Sequence, residues 1–176
     1  MKAARLICII GAESTGKTTL AQALARHFDC PWVPEYLRQF CHENARTPRR
    51  DEQALVIQRQ RETEIAALAR ATARQDAFVF CDTAPLLTAI YSDFIFGDKS
   101  LLEQGRSLQA NYALTLLLAP DIAWIADGLQ RDGEHVRAPV HNYLQHELAA
   151  LALPIARIEG TGDKRLANAL EAVHRL

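Results

Sequence analysis

The chain has 176 residues, 49% hydrophobic and 23% charged, with a formal net charge of −1. That length carries one hydrophobic core without staples or metals, and the composition excludes a disordered or fibrous chain. Balanced charge argues against a nucleic-acid partner, which asks for a clear basic surplus.

Leu6 to Ile10 is a compact apolar run closed by Gly11, the pattern of a strand buried on both faces. It is too short to span a bilayer and lacks the grammar of a cleaved leader, so no membrane partner and a cytoplasmic location are expected. From Lys17 the period changes, and Leu20, Leu24 and Phe28 recur at helical spacing. Trp32 and Val33 form a short second strand between Pro31 and Pro34. Arg46, Arg49 and Arg50 make either a local basic patch or a solvated loop. Arg50 to Arg74 reads as a long charged helix with Ala54, Ile57, Ile65 and Leu68 on one stripe.

Phe78 to Cys81 is the next buried strand, ending at Asp82. Helices follow over Leu86 to Phe96, closed by Gly97, and over Leu101 to Tyr112. Leu114 to Leu118 is a strand that Pro120 terminates. Asp127 to Arg137 is polar and unpatterned, hence a loop. A helix over Val140 to Leu153, a strand over Ile155 to Ile158 and a helix over Arg165 to Leu176 complete the chain. Cys8, Cys30, Cys41 and Cys81 show no metal or disulfide spacing. Strands alternating with helices, without repeat or linker, predict one α/β domain over 1–176, built on a mainly parallel sheet with helices on both faces.

The chemistry begins at Gly11-Ala12-Glu13-Ser14-Thr15-Gly16-Lys17-Thr18, which fits G-x-x-x-x-G-K-[ST] between a strand and a helix. Glycines at both ends let the backbone curl until successive N–H groups face an anion, and the helix N-terminus adds positive potential. Lys17 then reaches the β- and γ-phosphates, and Thr18 offers its hydroxyl to Mg²⁺. The fold class predicted is a three-layer P-loop NTPase with ATP and Mg²⁺ as cofactors. The loop alone does not separate kinases from other P-loop proteins. Small size, an acidic residue after each of two strands and an arginine-bearing loop make it nucleoside-kinase-like and lidded.

Two carboxylates follow strands: Glu35 after Trp32-Val33, and Asp82 after Cys81. Strand carboxyl ends share one rim of a parallel sheet, where ligands gather. Either carboxylate can accept a proton from an attacking hydroxyl while the other holds Mg²⁺. Glu35 has a structural rival role, an ion pair with Arg38. Asp127-Gly128-Leu129-Gln130-Arg131 with Arg137 reads as a mobile lid whose arginines neutralise the phosphoryl group in flight. Trp124 either stacks a planar base or belongs to the core.

With these segments in order, the chain resembles the NadR-type ribosylnicotinamide kinases and their AAA-like ATPase relatives. The matching residues are Gly11 to Thr19, Pro34 to Arg38, Cys81-Asp82-Thr83, Tyr91, Phe96-Gly97, Pro120-Asp121-Ile122-Ala123-Trp124, Asp127 to Arg131, and Arg137. The resemblance runs along nearly the whole chain, and the Pro-Asp-x-x-Trp-x-x-Asp-Gly-Leu run is its most specific part. Departures are Gln130, where the family usually has arginine, and Ala123, where proline is frequent.

The resemblance implies transfer of the ATP γ-phosphate to the 5′-hydroxyl of nicotinamide riboside. On that basis Glu35, Tyr36 and Asp82 face the ribose, Trp124 and Asp127 line the nucleoside pocket, and Arg131 and Arg137 are lid residues. Because the chain starts at its first strand, the adenylyltransferase and DNA-binding segments of longer family members are not expected. Two other functions remain open on sequence: a kinase of another nucleoside or of a nucleoside monophosphate, and a nucleotide-gated binding protein.

Overall fold

The computed structural model describes residues 3–125 and 133–176. Among these residues five strands, β1 (Arg5–Ile10), β2 (Trp32–Val33), β3 (Phe78–Asp82), β4 (Leu114–Leu118) and β5 (Ile155–Ile158), form one sheet in the order β2-β3-β1-β4-β5. Every pairing is parallel. Among the described residues seven helices connect or follow them: α1 (Lys17–Phe28), α2 (Tyr36–Asn44), α3 (Gln53–Arg74), α4 (Pro85–Phe96), α5 (Leu102–Gln109), α6 (Glu134–Ala149) and α7 (Gly162–His174).

Alternation along the strands divides the core into two layers. Cys8, Ile10, Val79, Cys81 and Leu117 pack with Ile57, Leu86, Ile90, Val140 and Leu144 on the side of α3, α4 and α6. Ile7, Ile9, Phe78, Phe80, Leu116 and Leu118 pack with Leu20, Leu24, Ala169 and Val173 on the side of α1 and α7. The three-layer architecture expected from the sequence is present, and its sheet is wholly parallel. Among the described residues no helix is long and apolar enough to cross a membrane.

Several boundaries differ from the sequence reading, each for a physical reason. The helix α2 has no counterpart in that reading because only Phe40 and Cys41 of its nine residues are buried, a stripe too narrow to show as a period. The long helix begins at Gln53, after a 3-10 turn over Arg50–Glu52. A second such turn over Lys99–Leu101 precedes α5, which stops at Gln109. The segment taken as a loop up to Arg137 is already helical from Glu134, and α6 runs through Pro139. An interior proline costs a helix about 3 kcal/mol. Here burial of Val136, Val140, Leu144 and Leu148 along one stripe outweighs it. The final helix starts at Gly162 rather than Arg165.

The arginine cluster before α3 is paired. Glu52 receives Arg46 Nη1 at 2.6 Å and Arg46 Nη2 at 2.7 Å, and also accepts the Arg49 N–H at 2.8 Å. Arg50 meets Asp98 at 3.2 Å. These hydrogen bonds, Arg46 first, hold the Glu52 carboxyl at about 2, below its ordinary 4.5. A depressed carboxyl stabilises the fold above its unfolded value and loses that contribution as pH falls through its folded value. Glu52→Gln is therefore expected to lower the urea midpoint at pH 7, the gap to wild type closing as pH drops from 4.5 towards about 2. An equal gap at both ends of that range contradicts the assignment.

Candidate active site

The first strand ends in the phosphate loop, and its neighbours fix where that loop lies. The chain leaves β1 for strands on one side (β2 at the edge, then β3 beside β1) and later crosses to the other (β4, then β5). The crevice beyond the carboxyl ends at such a switch point is where α/β sheets bind ligands. Two features shape the loop. Ser14 and Gly16 take left-handed backbone conformations, φ 52 and φ 80. Gly11 runs so close to β4 that an added Cβ would lie 2.8 Å from Thr15 Oγ1 and 3.2 Å from the Leu118 carbonyl oxygen.

Within the loop, the Thr15 hydroxyl donates to the Ala12 carbonyl at 2.8 Å. Lys17 Nζ donates to the carbonyls of Gly11 at 3.1 Å and Ala12 at 3.2 Å, holding the ammonium over the loop. Residues 14–19 and Arg38 line a hollow there. Thr19 of the predicted loop set is among them, whereas Gly11 and the buried Glu13 do not line that hollow.

Asp82 lies on the α1 side of the sheet and accepts the Thr18 hydroxyl at 2.6 Å through Oδ2. Its Oδ1 is buried without a hydrogen-bond partner among the described residues. Burial raises its carboxyl above the ordinary value, while Lys17, Thr18 and Arg38 pull it back. Two hard oxygen donors, one with a spare lone pair in a buried place, fit Mg²⁺, which binds through one or two protein oxygens plus phosphate and water. No group of three or more His, Cys, Asp or Glu among the described residues makes an all-protein cage.

Glu35 is the N-cap residue of α2. That helix start is fixed from below: the Tyr36 N–H donates to Gln60 Oε1 at 2.9 Å, and Gln60 Nε2 donates to the fully buried Glu64 at 3.1 Å. Tyr112 Oη and Arg61 also donate to Glu64, at 2.7 Å and 2.9 Å. Burial raises the Glu64 carboxyl, and these three hydrogen bonds oppose that rise.

Beside the phosphate hollow opens a cleft with about 850 Å³ of empty space, part of it open to solvent. Glu13, Glu35, Arg38, Thr83 and Tyr91 supply its polar wall, and Leu87, Ile95 and Phe96 its apolar one. Cleft and hollow share Ser14, Lys17 and Arg38, so the two sites meet at two cations.

The structure thus brings the loop, Thr18, Asp82 and Glu35 to one rim. Tyr36 and Trp124 line neither space among the described residues, although Trp124 Nε1 is buried without a partner there. Asp127 and Arg131 lie outside the described residues. Arg137 stands in the first turns of α6, not in a loop, and donates to main-chain carbonyls. Sequence reasoning assigned no role to Thr83, Leu87, Thr88 or Arg165. Thr83, a non-glycine at φ 77 directly after Asp82, carried a usable signal as part of the Cys81-Asp82-Thr83 match.

A parallel three-layer sheet with a phosphate loop after its central strand and a carboxylate on the next strand defines a P-loop kinase fold of the nucleoside- and nucleotide-kinase kind. The chain belongs to the AAA domain family, whose model matches residues 6–165. It is similar to NadR protein solved in complex with NR, at 26% identity over 98% of this chain and 51% of that one, with a TM-score of 0.83. NadR solved with NAD and AMP-PNP matches at 25% identity over 98% of this chain and 49% of that one, TM-score 0.79. The chain therefore spans about half the length of these two relatives. Thymidylate kinase from Ehrlichia chaffeensis shares the fold at 17% identity, over 99% of both chains, TM-score 0.67. No curated protein sequence matches the chain. The resemblance to NadR-type P-loop kinases read in the sequence is borne out.

The contacts at Gly11 generate a test. Gly11→Ala must displace either the Thr15 hydroxyl or the β4 backbone, so triphosphate affinity is expected to fall about 10-fold or more, the loss of at least one good hydrogen bond to a charged group. Unchanged affinity by calorimetry contradicts the close approach.

Proposed function

We propose that the chain transfers the γ-phosphate of ATP to the 5′-hydroxyl of a nucleoside, with nicotinamide riboside as the acceptor. The observation that carries this reading is the shared wall: Lys17 and Arg38 border both the phosphate hollow and the adjoining cleft. A terminal phosphate in the loop then lies against a hydroxyl in the cleft with cations beside both. The NadR structures with NR and with AMP-PNP support the choice of ligands.

On this reading the loop amides and Lys17 hold the triphosphate, the ammonium exchanging its two loop carbonyls for phosphate oxygens. Thr18 and Asp82 hold Mg²⁺, which supplies charge neutralisation at the phosphates. Glu35 is the base, because it lines the cleft and Asp82 does not. The acceptor oxygen bonds to the γ-phosphorus as the bond to the β-bridging oxygen breaks. The hydroxyl proton passes to Glu35, and ADP leaves. Tyr91, Ile95 and Phe96 offer a planar base an apolar wall. Arg131 is proposed as the lid arginine and Asp127 as a nucleoside contact. One compact domain in the cytoplasm, with no nucleic-acid or membrane partner, completes the proposal.

Arg38 at the junction favours one second reading, a nucleoside monophosphate acceptor whose phosphate it binds.

A thermal-shift series with a non-hydrolysable ATP analogue separates the readings. A ligand at a hundred times its dissociation constant adds about 2.7 kcal/mol of stability. Nicotinamide riboside is expected to raise the midpoint beyond the analogue alone. A shift only with thymidine, cytidine or a monophosphate rejects the proposed acceptor. Glu35→Gln is expected to lower kcat about 100-fold or more with the fold intact, and wild-type turnover removes Glu35 from the chemistry.

A further inference from the structure

The phosphate loop is held from outside by two buried arginines that lie on different helices. Arg137 of α6 donates through Nη2 to the Ser14 carbonyl at 3.1 Å and through Nη1 to the Ile122 carbonyl at 2.8 Å. Arg165 of α7 donates through Nη1 to the Thr15 carbonyl, through Nε to the Gly160 carbonyl at 2.6 Å, and through Nη2 to the Ala119 carbonyl at 3.1 Å and to Asp121 Oδ1. Their relative exposures are 8% and 5%. Neither lines the phosphate hollow among the described residues.

The consequence follows from peptide geometry. In a planar trans peptide the C=O and the N–H point in opposite directions. Fastening the Ser14 carbonyl behind the loop aims the Thr15 N–H to its front, and fastening the Thr15 carbonyl does the same for the Gly16 N–H. The front is the hollow, which Ser14, Thr15 and Gly16 line. Ser14, a non-glycine at φ 52, holds a conformation that L residues avoid, so it needs support from its surroundings. Its own hydroxyl helps by accepting the Ile125 N–H at 2.9 Å. A guanidinium suits the task because its rigid fork reaches several carbonyls at once and its charge is permanent. Asp121 offsets the buried charge of Arg165.

We propose that Arg137 and Arg165 are positioning residues of the phosphate cradle, holding the Ser14 and Thr15 carbonyls so that the Thr15 and Gly16 amides face the hollow before a nucleotide arrives. This rests on the phosphate-binding reading of the loop. It gives both arginines a role away from the transferred phosphoryl group, through the backbone that binds it. Arg165 also ties the loop to the ends of β4 and β5 through Ala119 and Gly160, so the cradle and its two neighbouring loops share one clasp.

The test is calorimetric titration of inorganic tripolyphosphate into wild type, Arg137→Ala, Arg137→Lys and Arg165→Lys, each confirmed folded by circular dichroism. Wild type is expected to bind, and Arg137→Ala and Arg165→Lys to bind about 10-fold or more weakly. A lysine keeps the charge but reaches fewer carbonyls, so Arg137→Lys is expected between wild type and Arg137→Ala. A low, non-denaturing concentration of guanidinium ion is expected to restore part of the affinity of Arg137→Ala. Wild-type affinity in the folded variants overturns the inference, as does a loss that guanidinium leaves unchanged. Should Arg165→Lys fail to fold, the two Arg137 variants decide. No binding by wild type rejects the phosphate-binding reading itself, a result distinct from either.

Discussion

The site depends on the parallel register of β1 between β3 and β4. Ile9 pairs with Asp82 and Ile10 with Leu117, and the Thr83 N–H continues the ladder by donating to the Ile9 carbonyl at 2.9 Å. That register places Asp82 on the same side as Phe78 and Phe80, the side that α1 covers, where Thr18 meets it. A slip of one residue would turn the carboxylate to the α3 side, because strand side chains alternate. The register is secured by burial on both faces, so the hydrophobic core fixes the position of the Asp82 carboxylate. Packing and chemistry are linked at this point.

The same sheet explains why the hollow and the cleft adjoin. All five strands end on one rim, and the loops leaving β1, β2 and β3 carry the phosphate cradle, Glu35 and Thr83 respectively. Lys17 stands where these loops meet. In the structure its ammonium rests on the carbonyls of Gly11 and Ala12, hydrogen bonds that a triphosphate can replace with stronger charge-assisted ones. Beneath the cleft, Gln60 and Glu64 form a buried polar support that fixes the start of α2, and with it the backbone of Glu35.

How much of this was legible in the sequence follows from the kind of interaction involved. Leu6 to Ile10, Phe78 to Cys81 and Leu114 to Leu118 could be read because buried parallel strands are continuous apolar runs, and Gly11 to Thr18 because its geometry demands particular residue types. The support of Tyr36 by Gln60 was not legible: a glutamine inside a long charged helix looks like any solvated residue until α2 is placed against it. Arg165 was hidden for a related reason. Its partners are mostly backbone carbonyls, which every residue has, so no pattern of side chains marks them. The start of α6 was missed because Pro139 signals a boundary locally while the buried stripe on both sides of it overrides that signal.

All of these features converge on the phosphate loop at the end of β1, shaped by its backbone geometry and completed by one ammonium. The most direct measurement is calorimetric titration of ATP with Mg²⁺ into the folded chain, repeated with Lys17→Ala. Saturable one-to-one binding that the substitution weakens at least about 10-fold is predicted, since a charge-assisted contact to phosphate is lost. Absence of binding by the folded wild-type chain, or equal binding by both, would contradict the account at its base.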